Sequence, residues 1–184
     1  LELDAGAQAA PLLSVWGGKI TTFRKLGEEA ADLLAQPLGA TRGAWTQNAR
    51  LPGGDLSGWI GAPKSPDTDF AHFVQALAQR HPGLPAALCW RLARCYGSRV
   101  ELVLGADGLG AQVAPGLHEA ELNYLHAHEW ARNADDVLWR RTKLGLHLNE
   151  AERAAVARWC GEHWGDAPSA AATEAAGARE KAWS

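Results

Sequence analysis

The chain has 184 residues, 47% of them hydrophobic and 21% charged, with a formal charge of −3 at pH 7. That length allows one domain, or one domain with a piece of another, and the composition is ordinary for a soluble globular protein. The acidic balance excludes non-specific nucleic-acid binding, which needs a basic face, and no apolar run approaches the roughly 20 residues of a membrane-spanning helix.

The N-terminus carries Glu2 and Asp4 and no basic segment, so it does not read as a signal peptide. With no methionine anywhere, the chain is expected to be a piece of something longer. Cys89, Cys95 and Cys160 are odd in number and unpaired in spacing. They are expected to be small core hydrophobes in a reducing compartment, not a disulfide framework. The nine tryptophans are expected to be mostly core or interface anchors, because an indole buries a large area while its N–H needs a partner.

In chain order, Leu12 to Trp16 is an apolar run that suits a buried strand, and Gly17-Gly18 after it suits a tight turn. Phe23, Leu26, Ala30, Leu33 and Leu34 then recur at helical spacing. Gly27 within this helix costs about 1 kcal/mol relative to alanine, so it is expected to permit close backbone packing. The stretch 37–66 is rich in glycine and proline and reads as an irregular linker. From Asp67, taken as a helix cap, helices follow with clear punctuation. Phe70, Phe73, Val74 and Leu77 share one side of the first. Leu88, Leu92 and Tyr96 share the buried face of the next, with Pro85 at its start and Gly97 as its stop.

Ser98 and Glu101 are spaced as a capping box for a short helix ending at Gly105. Leu117, Ala120, Tyr124 and Ala127 make a stripe, and Asn133 opens a helix carrying Val137, Leu138 and Arg141. Asn149 with Glu152 forms a second capping box, ahead of Val156, Trp159 and Cys160. The fold class is therefore mainly α: a C-terminal helical bundle of about six helices preceded by a short strand–turn–helix. The boundaries are 1–36 for the strand–turn–helix, 37–66 for the linker, 67–166 for the helical domain and 167–184 for a frayed tail.

The candidate site is the turn Gly17, Gly18, Lys19, Ile20 and Thr21. It is not a phosphate-binding P-loop. That motif needs a glycine where Leu13 stands and a serine or threonine where Ile20 stands. What remains is a glycine turn feeding a helix N-terminus, whose free N–H groups and dipole favour negative charge, with the Lys19 ammonium beside them. A phosphate suits this arrangement, and so does the pyrimidine edge of a flavin. A tight turn with an ordinary surface lysine accounts for it equally well.

The histidines do not make a metal site. His126 and His128 are two apart and point to different sides of a helix, and His118, eight residues before His126, is read as part of that helix. Arg141 shares an apolar face and is expected to need a carboxylate, with Glu121 or Glu129 as candidates.

The segments "LLSVWGGKITTFRKLGEEAADLL", "LPGGDL", "RCYGSR" and "LHEAELNYLHAHEWARNADDVLWRRTKLGL" resemble the C-terminal part of bacterial aerobic, FAD-dependent glycerol-3-phosphate dehydrogenase, in that family's order. The resemblance runs from about Pro11 to Trp164. It implies a two-part enzyme: FAD and substrate domains first, then a strand and helix that return to the FAD domain, then a helical cap. It implies oxidation of sn-glycerol 3-phosphate to dihydroxyacetone phosphate, electrons held on FAD and passed to membrane quinone, and peripheral attachment at the cytoplasmic face of the inner membrane. Gly17, Gly18, Lys19, Ile20 and Thr21 would lie at the flavin ring, with Lys19 also near the substrate. The chain has no dinucleotide-binding fingerprint of its own, and Gly108-Leu109-Gly110 does not follow a long strand. It is therefore expected neither to retain FAD nor to turn over alone, but to depend on the missing N-terminal domains. A non-catalytic helical module that docks those domains or another subunit is the alternative.

Overall fold

A computed structural model of the chain describes residues 1–6, 9–105 and 108–165. Its contacts separate two compact units, Leu1–Leu51 and Pro52–Ser184. The division falls inside the glycine- and proline-rich stretch 37–66. The tail expected at 167–184 lies outside the described residues.

In the first unit, strand β1 (Glu2–Asp4) pairs antiparallel with β2 (Leu12–Ser14), Leu3 opposite Leu13. The strand read from the sequence thus has a partner in the residues just before it. A 3-10 turn at Ile20–Thr22 leads into helix α1 (Phe23–Ala35). Along α1, Leu26, Ala30 and Leu34 are half-buried, whereas Phe23 and Leu33 are exposed. Among the described residues of this unit none is buried. Among the described residues nothing packs closely on Gly27: a β-carbon there would meet nothing within 4 Å.

The second unit is mainly helical, in keeping with the expected class. Helices α2 (Ser57–Ile60), α3 (Pro66–Arg80), α4 (Ala86–Tyr96) and α5 (Val100–Leu104) precede a small antiparallel pair, β3 (Gln112–Ala114) and β4 (Leu117–His118). Helix α6 (Glu119–His128), a π-helical segment Asp136–Arg141, a 3-10 turn Leu144–Leu146 and helix α7 (Glu150–Trp164) follow. Phe73, Leu77, Leu92, Val100, Leu122, Leu125 and Val137 form one fully buried core.

The local punctuation differs from the sequence reading in identifiable ways. Ser65, not Asp67, precedes α3, with Pro66 in the first turn. Asp69 reaches back to accept from the amides of Lys64 and Ser65 at 2.8 and 3.0 Å. The box expected at Ser98 does not form, because a 3-10 turn, Gly97–Arg99, runs straight into α5 with no capping side chain. Glu101 instead pairs with Arg80 at 2.8 Å. The box at Asn149 and Glu152 is present in both directions, at 2.8 and 3.0 Å. His118 closes β4 rather than lying on α6. Trp59, Trp159 and Trp164 are partly buried against the core, whereas Trp16, Trp45, Trp90, Trp130 and Trp139 are exposed.

The buried face of α6 is Glu121, Leu122, Tyr124 and Leu125, while Ala127 is exposed. A charge sets this rotation. Glu121, 1% exposed, receives both terminal nitrogens of Arg91, at 2.7 and 2.6 Å, and the Tyr96 hydroxyl at 2.6 Å. Arg91 also donates to the carbonyl of Gly116 at 2.5 Å. Burial works against the charge on Arg91, but the Glu121 carboxylate outweighs it and holds the guanidinium firmly protonated. Burial and the same carboxylate push the Tyr96 phenol up. Arg141, expected to pair with a carboxylate, is exposed and donates to the backbone carbonyl of Glu129 at 2.7 Å. Glu121 is already engaged, and the Glu129 carboxylate accepts from Tyr124 at 3.2 Å.

Two of the sequence segments singled out above, "LPGGDL" and "RCYGSR", meet at a backbone crossing. Gly53 (φ 83°) and Gly97 (φ 53°) approach so closely that a β-carbon on Gly53 would sit 2.2 Å from the Tyr96 carbonyl oxygen. One on Gly97 would sit 2.1 Å from the carbonyl oxygen of Gly53. The amide of Ser98 donates to that Gly53 oxygen at 3.0 Å.

Either Gly53→Ala or Gly97→Ala is therefore expected to destabilise the helical unit by roughly 2–4 kcal/mol, from overpacking and left-handed strain together. Arg91→Met strands a buried carboxylate and is expected to cost about 3–5 kcal/mol, most of it recovered in Arg91→Met/Glu121→Met. Denaturant unfolding measures both; equal losses in the single and double variants would contradict the buried pair.

Candidate functional site

The sequence-predicted residues lie on one short stretch of the first unit, between β2 and α1. Gly17 and Gly18 take φ values of 77° and 144°, the left-handed side that glycine tolerates. These two residues turn the chain out of the β1–β2 pair, and the Trp16 indole donates to Glu2 on β1 at 3.3 Å. Lys19 caps the 3-10 turn, and its carbonyl accepts from the amide and hydroxyl of Thr22 at 3.0 and 3.2 Å. The first amides of such a turn have no intrahelical partner. They face outward beside the α1 dipole, a setting that favours negative charge.

The surroundings are unusually bare. A β-carbon on Gly17 would meet nothing within 4 Å, so the backbone there is open to close approach by a flat group. Ile20 is 88% exposed, Trp16 78% and Phe23 67%. Gly17, Gly18, Lys19 and Thr21 are exposed as well. Among the described residues the Lys19 ammonium has no ion pair and no hydrogen-bond acceptor. The five residues therefore present one wall: a bare backbone, a free cation, a helix N-terminus and apolar side chains facing outward.

Helix α1 is held in place from the other side. Glu28 accepts from the Thr46 hydroxyl at 2.6 Å and from Arg24 at 2.7 Å, with Lys25 at 3.5 Å. The Arg24–Glu28 spacing was visible as an i,i+4 pair. Thr46, on the 3-10 turn Thr46–Asn48, carries no such signal. Nor did β1, whose pairing with β2 anchors the turn's other end.

In the helical unit several polar groups are engaged within the unit. A cleft of about 450 Å3 between α5 and α6 is lined in part by Glu119, Asn123, Tyr124 and His128. Glu119 there accepts from the amide of Ala111 at 2.9 Å and from the Trp159 indole at 3.2 Å, which hold its carboxyl below the usual range. His126 stands 2.8 Å from the carbonyl of Ala131 and stacks on Trp164; His128 leans on Tyr124. Among the described residues no group of three or more histidine, cysteine, aspartate or glutamate side chains is placed to hold a metal ion. No described helix is long and apolar enough to cross a membrane.

Residues 44–164 match the family described as the C-terminal domain of alpha-glycerophosphate oxidase. The chain is 43% identical over 158 residues to the aerobic glycerol-3-phosphate dehydrogenase of Escherichia coli, covering 84% of this chain and 30% of that protein. It is 43% identical over 164 residues to the glycerol-3-phosphate dehydrogenase of Pseudomonas aeruginosa, covering 86% of this chain and 30% of that one. It is 44% identical over 154 residues to the D-erythritol 1-phosphate dehydrogenase of Brucella abortus, covering 82% and 29%. The chain thus spans about 30% of the length of these relatives. It belongs to the family of this C-terminal domain.

The hydrogen bond from Thr46 and then the charges of Arg24 and Lys25 hold the Glu28 carboxyl below its ordinary value of 4.5, against the effect of desolvation. Since this carboxyl is depressed in the folded state, its contribution to holding α1 is present in full above pH 4.5 and is lost as the pH falls through the lowered value. Thr46→Val is expected to move the Glu28 titration upward in a carboxyl NMR experiment; an unmoved titration would contradict the assignment.

Proposed function

We propose that the chain is the C-terminal part of an FAD-dependent dehydrogenase that oxidises sn-glycerol 3-phosphate to dihydroxyacetone phosphate and passes the electrons to membrane quinone. Gly17, Gly18, Lys19, Ile20 and Thr21 are the C-terminal wall of the flavin pocket. FAD and substrate domains earlier in the full-length enzyme supply the other walls and bring the enzyme to the cytoplasmic face of the inner membrane as a peripheral protein. The observation that carries this reading is the bare, cationic turn in a unit whose described residues include none that is buried. Such a surface is half of an enclosure.

The residues present fit FAD in kind. When bound, FAD supplies the acceptor for the two electrons and the proton equivalent released by alcohol oxidation. The chain's own contribution is electrostatic and steric. Gly17 and Gly18 keep side chains away from the ring plane. The amides at Ile20 and Thr21 and the α1 dipole favour negative charge that develops beside them. Ile20 and Phe23 exclude water once covered. The Lys19 ammonium has no competing partner and is free to hold a phosphate monoester.

The substrate's phosphate is better supported than its carbon skeleton. Relatives named for glycerol 3-phosphate and for D-erythritol 1-phosphate are equally similar to this chain. Both are polyol phosphates, and Lys19 reads the group they share. The choice of glycerol 3-phosphate rests on the resemblance of the segments from Leu12 to Leu146 to glycerol-3-phosphate dehydrogenase. A second reading makes the helical unit a docking module without chemistry; the Arg91–Glu121–Tyr96 cluster, bonded within the unit, favours that role for the unit itself.

Dye-linked oxidation by the full-length enzyme, with either polyol phosphate as substrate, separates these readings. Lys19→Ala is expected to lower kcat/KM for glycerol 3-phosphate by about 100-fold or more, the loss of a charged contact at the reacting end. Normal turnover in that variant would favour the docking module alone. Faster oxidation of D-erythritol 1-phosphate would reassign the substrate.

A further inference from the structure

Among the described residues, the two non-glycine positions with left-handed backbone, Trp130 (φ 57°) and Lys143 (φ 61°), bracket a single segment of the helical unit. That conformation crowds the β-carbon against the following carbonyl oxygen and is uphill for any residue but glycine. Trp130 is also 76% exposed, which leaves most of an indole in water. Neither its backbone nor its side chain is in the state that folding alone would select.

The surrounding contacts impose this state. The amide of Ala131, a fully buried residue, donates to the carbonyl of Leu125 at 3.1 Å. The ring nitrogen Nδ1 of His126 stands 2.8 Å from the Ala131 carbonyl oxygen. The amide of Arg132 donates to Asp136 at 2.8 Å, and Arg141 reaches back to the Glu129 carbonyl at 2.7 Å. The peptides on both sides of Trp130 are fixed, and the indole is directed outward from a rigid base. A strained residue over-determined by its neighbours marks a functional position. The backbone that carries the indole is fixed in advance, so less entropy is lost on binding through it, which suits a binding anchor.

The local charge favours a protein as the occupant over an anionic lipid surface. Arg140 pairs with Asp136 at 3.0 Å, Arg141 is tied to the Glu129 carbonyl and the Lys143 ammonium to the Trp139 carbonyl. With Arg132 they share the segment with Glu129, Asp135 and Asp136, a mixed balance, whereas lipid headgroup attraction needs a predominantly basic cluster. The chain also spans only about 30% of its relatives' length, so most of such an enzyme lies outside it.

We infer that Trp130 is the anchor by which the helical unit docks onto the FAD and substrate part of the same enzyme, an inference that rests on the function proposed above. Hydrogen exchange on the full-length enzyme tests it. Trp130→Gly relieves the backbone strain while removing the indole. It is expected to speed exchange about tenfold in residues 131–143 and in the surface they cover, with α4 unchanged. Trp130→Asn, which also tolerates the left-handed backbone, is expected to act alike, and Trp90→Ala to leave residues 131–143 unchanged.

Unaltered exchange in both Trp130 variants overturns the inference. So does protection of the wild-type segment that disappears on dilution, which indicates a second copy, or that requires phosphatidylglycerol vesicles, which indicates lipid. Flavin content and turnover are read on the same samples. Their absence with the docking protection intact would remove the proposed function and leave the docking standing.

Discussion

An amphipathic helix must lie against something, and that requirement is met within the unit Pro52–Ser184 and unmet among the described residues of the unit Leu1–Leu51. From Pro52 onward, helices close over a shared core in which Phe73, Leu77, Leu92 and Val137 lose all contact with water. In the unit Leu1–Leu51, helix α1 and a two-stranded pair carry an apolar surface that the described residues of the unit do not cover. Ile20 and Phe23 are the clearest cases. A unit of this size rarely closes a core unaided. The exposed face of α1 and the bare Gly17–Thr21 turn are therefore two aspects of one unmet demand, which the proposed function answers with a single covering surface.

The helical unit is organised around a charge as much as around its apolar core. Glu121 is buried on α6 because Arg91 and Tyr96 on α4 meet it there, and this contact rotates α6 so that Ala127 faces out. Removing one partner of such a group is costly, although an apolar replacement of all of them need not be. What the charge adds is register: α4 and α6 have one rotation that satisfies it. The Gly53–Gly97 crossing fixes the start of the unit against the C-terminal end of α4 in the same way, through backbone contacts too close for any side chain.

Much of this was legible in the sequence where the signal is local. The box at Asn149 and Glu152, the stops at Gly97 and Gly105 and the buried positions Leu88, Leu92 and Tyr96 all follow from spacing and turn chemistry. The readings that failed depended on tertiary context. Ser98 and Glu101 have the spacing of a cap, but Gly97 commits the chain to a 3-10 turn and Arg80 takes the glutamate. Arg141 sits in an apolar pattern, yet the π-helical segment carries it to the surface. Glu121 was read as a candidate partner for Arg141, but its actual partner, Arg91, lies 30 residues away and gave no local signal.

The candidate turn was legible because its residues are consecutive, and a Gly-Gly-Lys run before a helix has a direct electrostatic meaning. The Thr46–Glu28 contact that steadies α1 spans 18 residues and had no local signal.

The central claim is that the Gly17–Thr21 turn is one wall of a flavin pocket completed by residues outside this chain. Visible flavin absorbance and dye-linked glycerol 3-phosphate oxidation, measured on the purified chain alone and again after the missing domains are added in trans, test it directly. The account predicts a colourless, inactive chain that contributes to a yellow, active enzyme once joined by its partner. Stoichiometric flavin with turnover in the chain alone would contradict it.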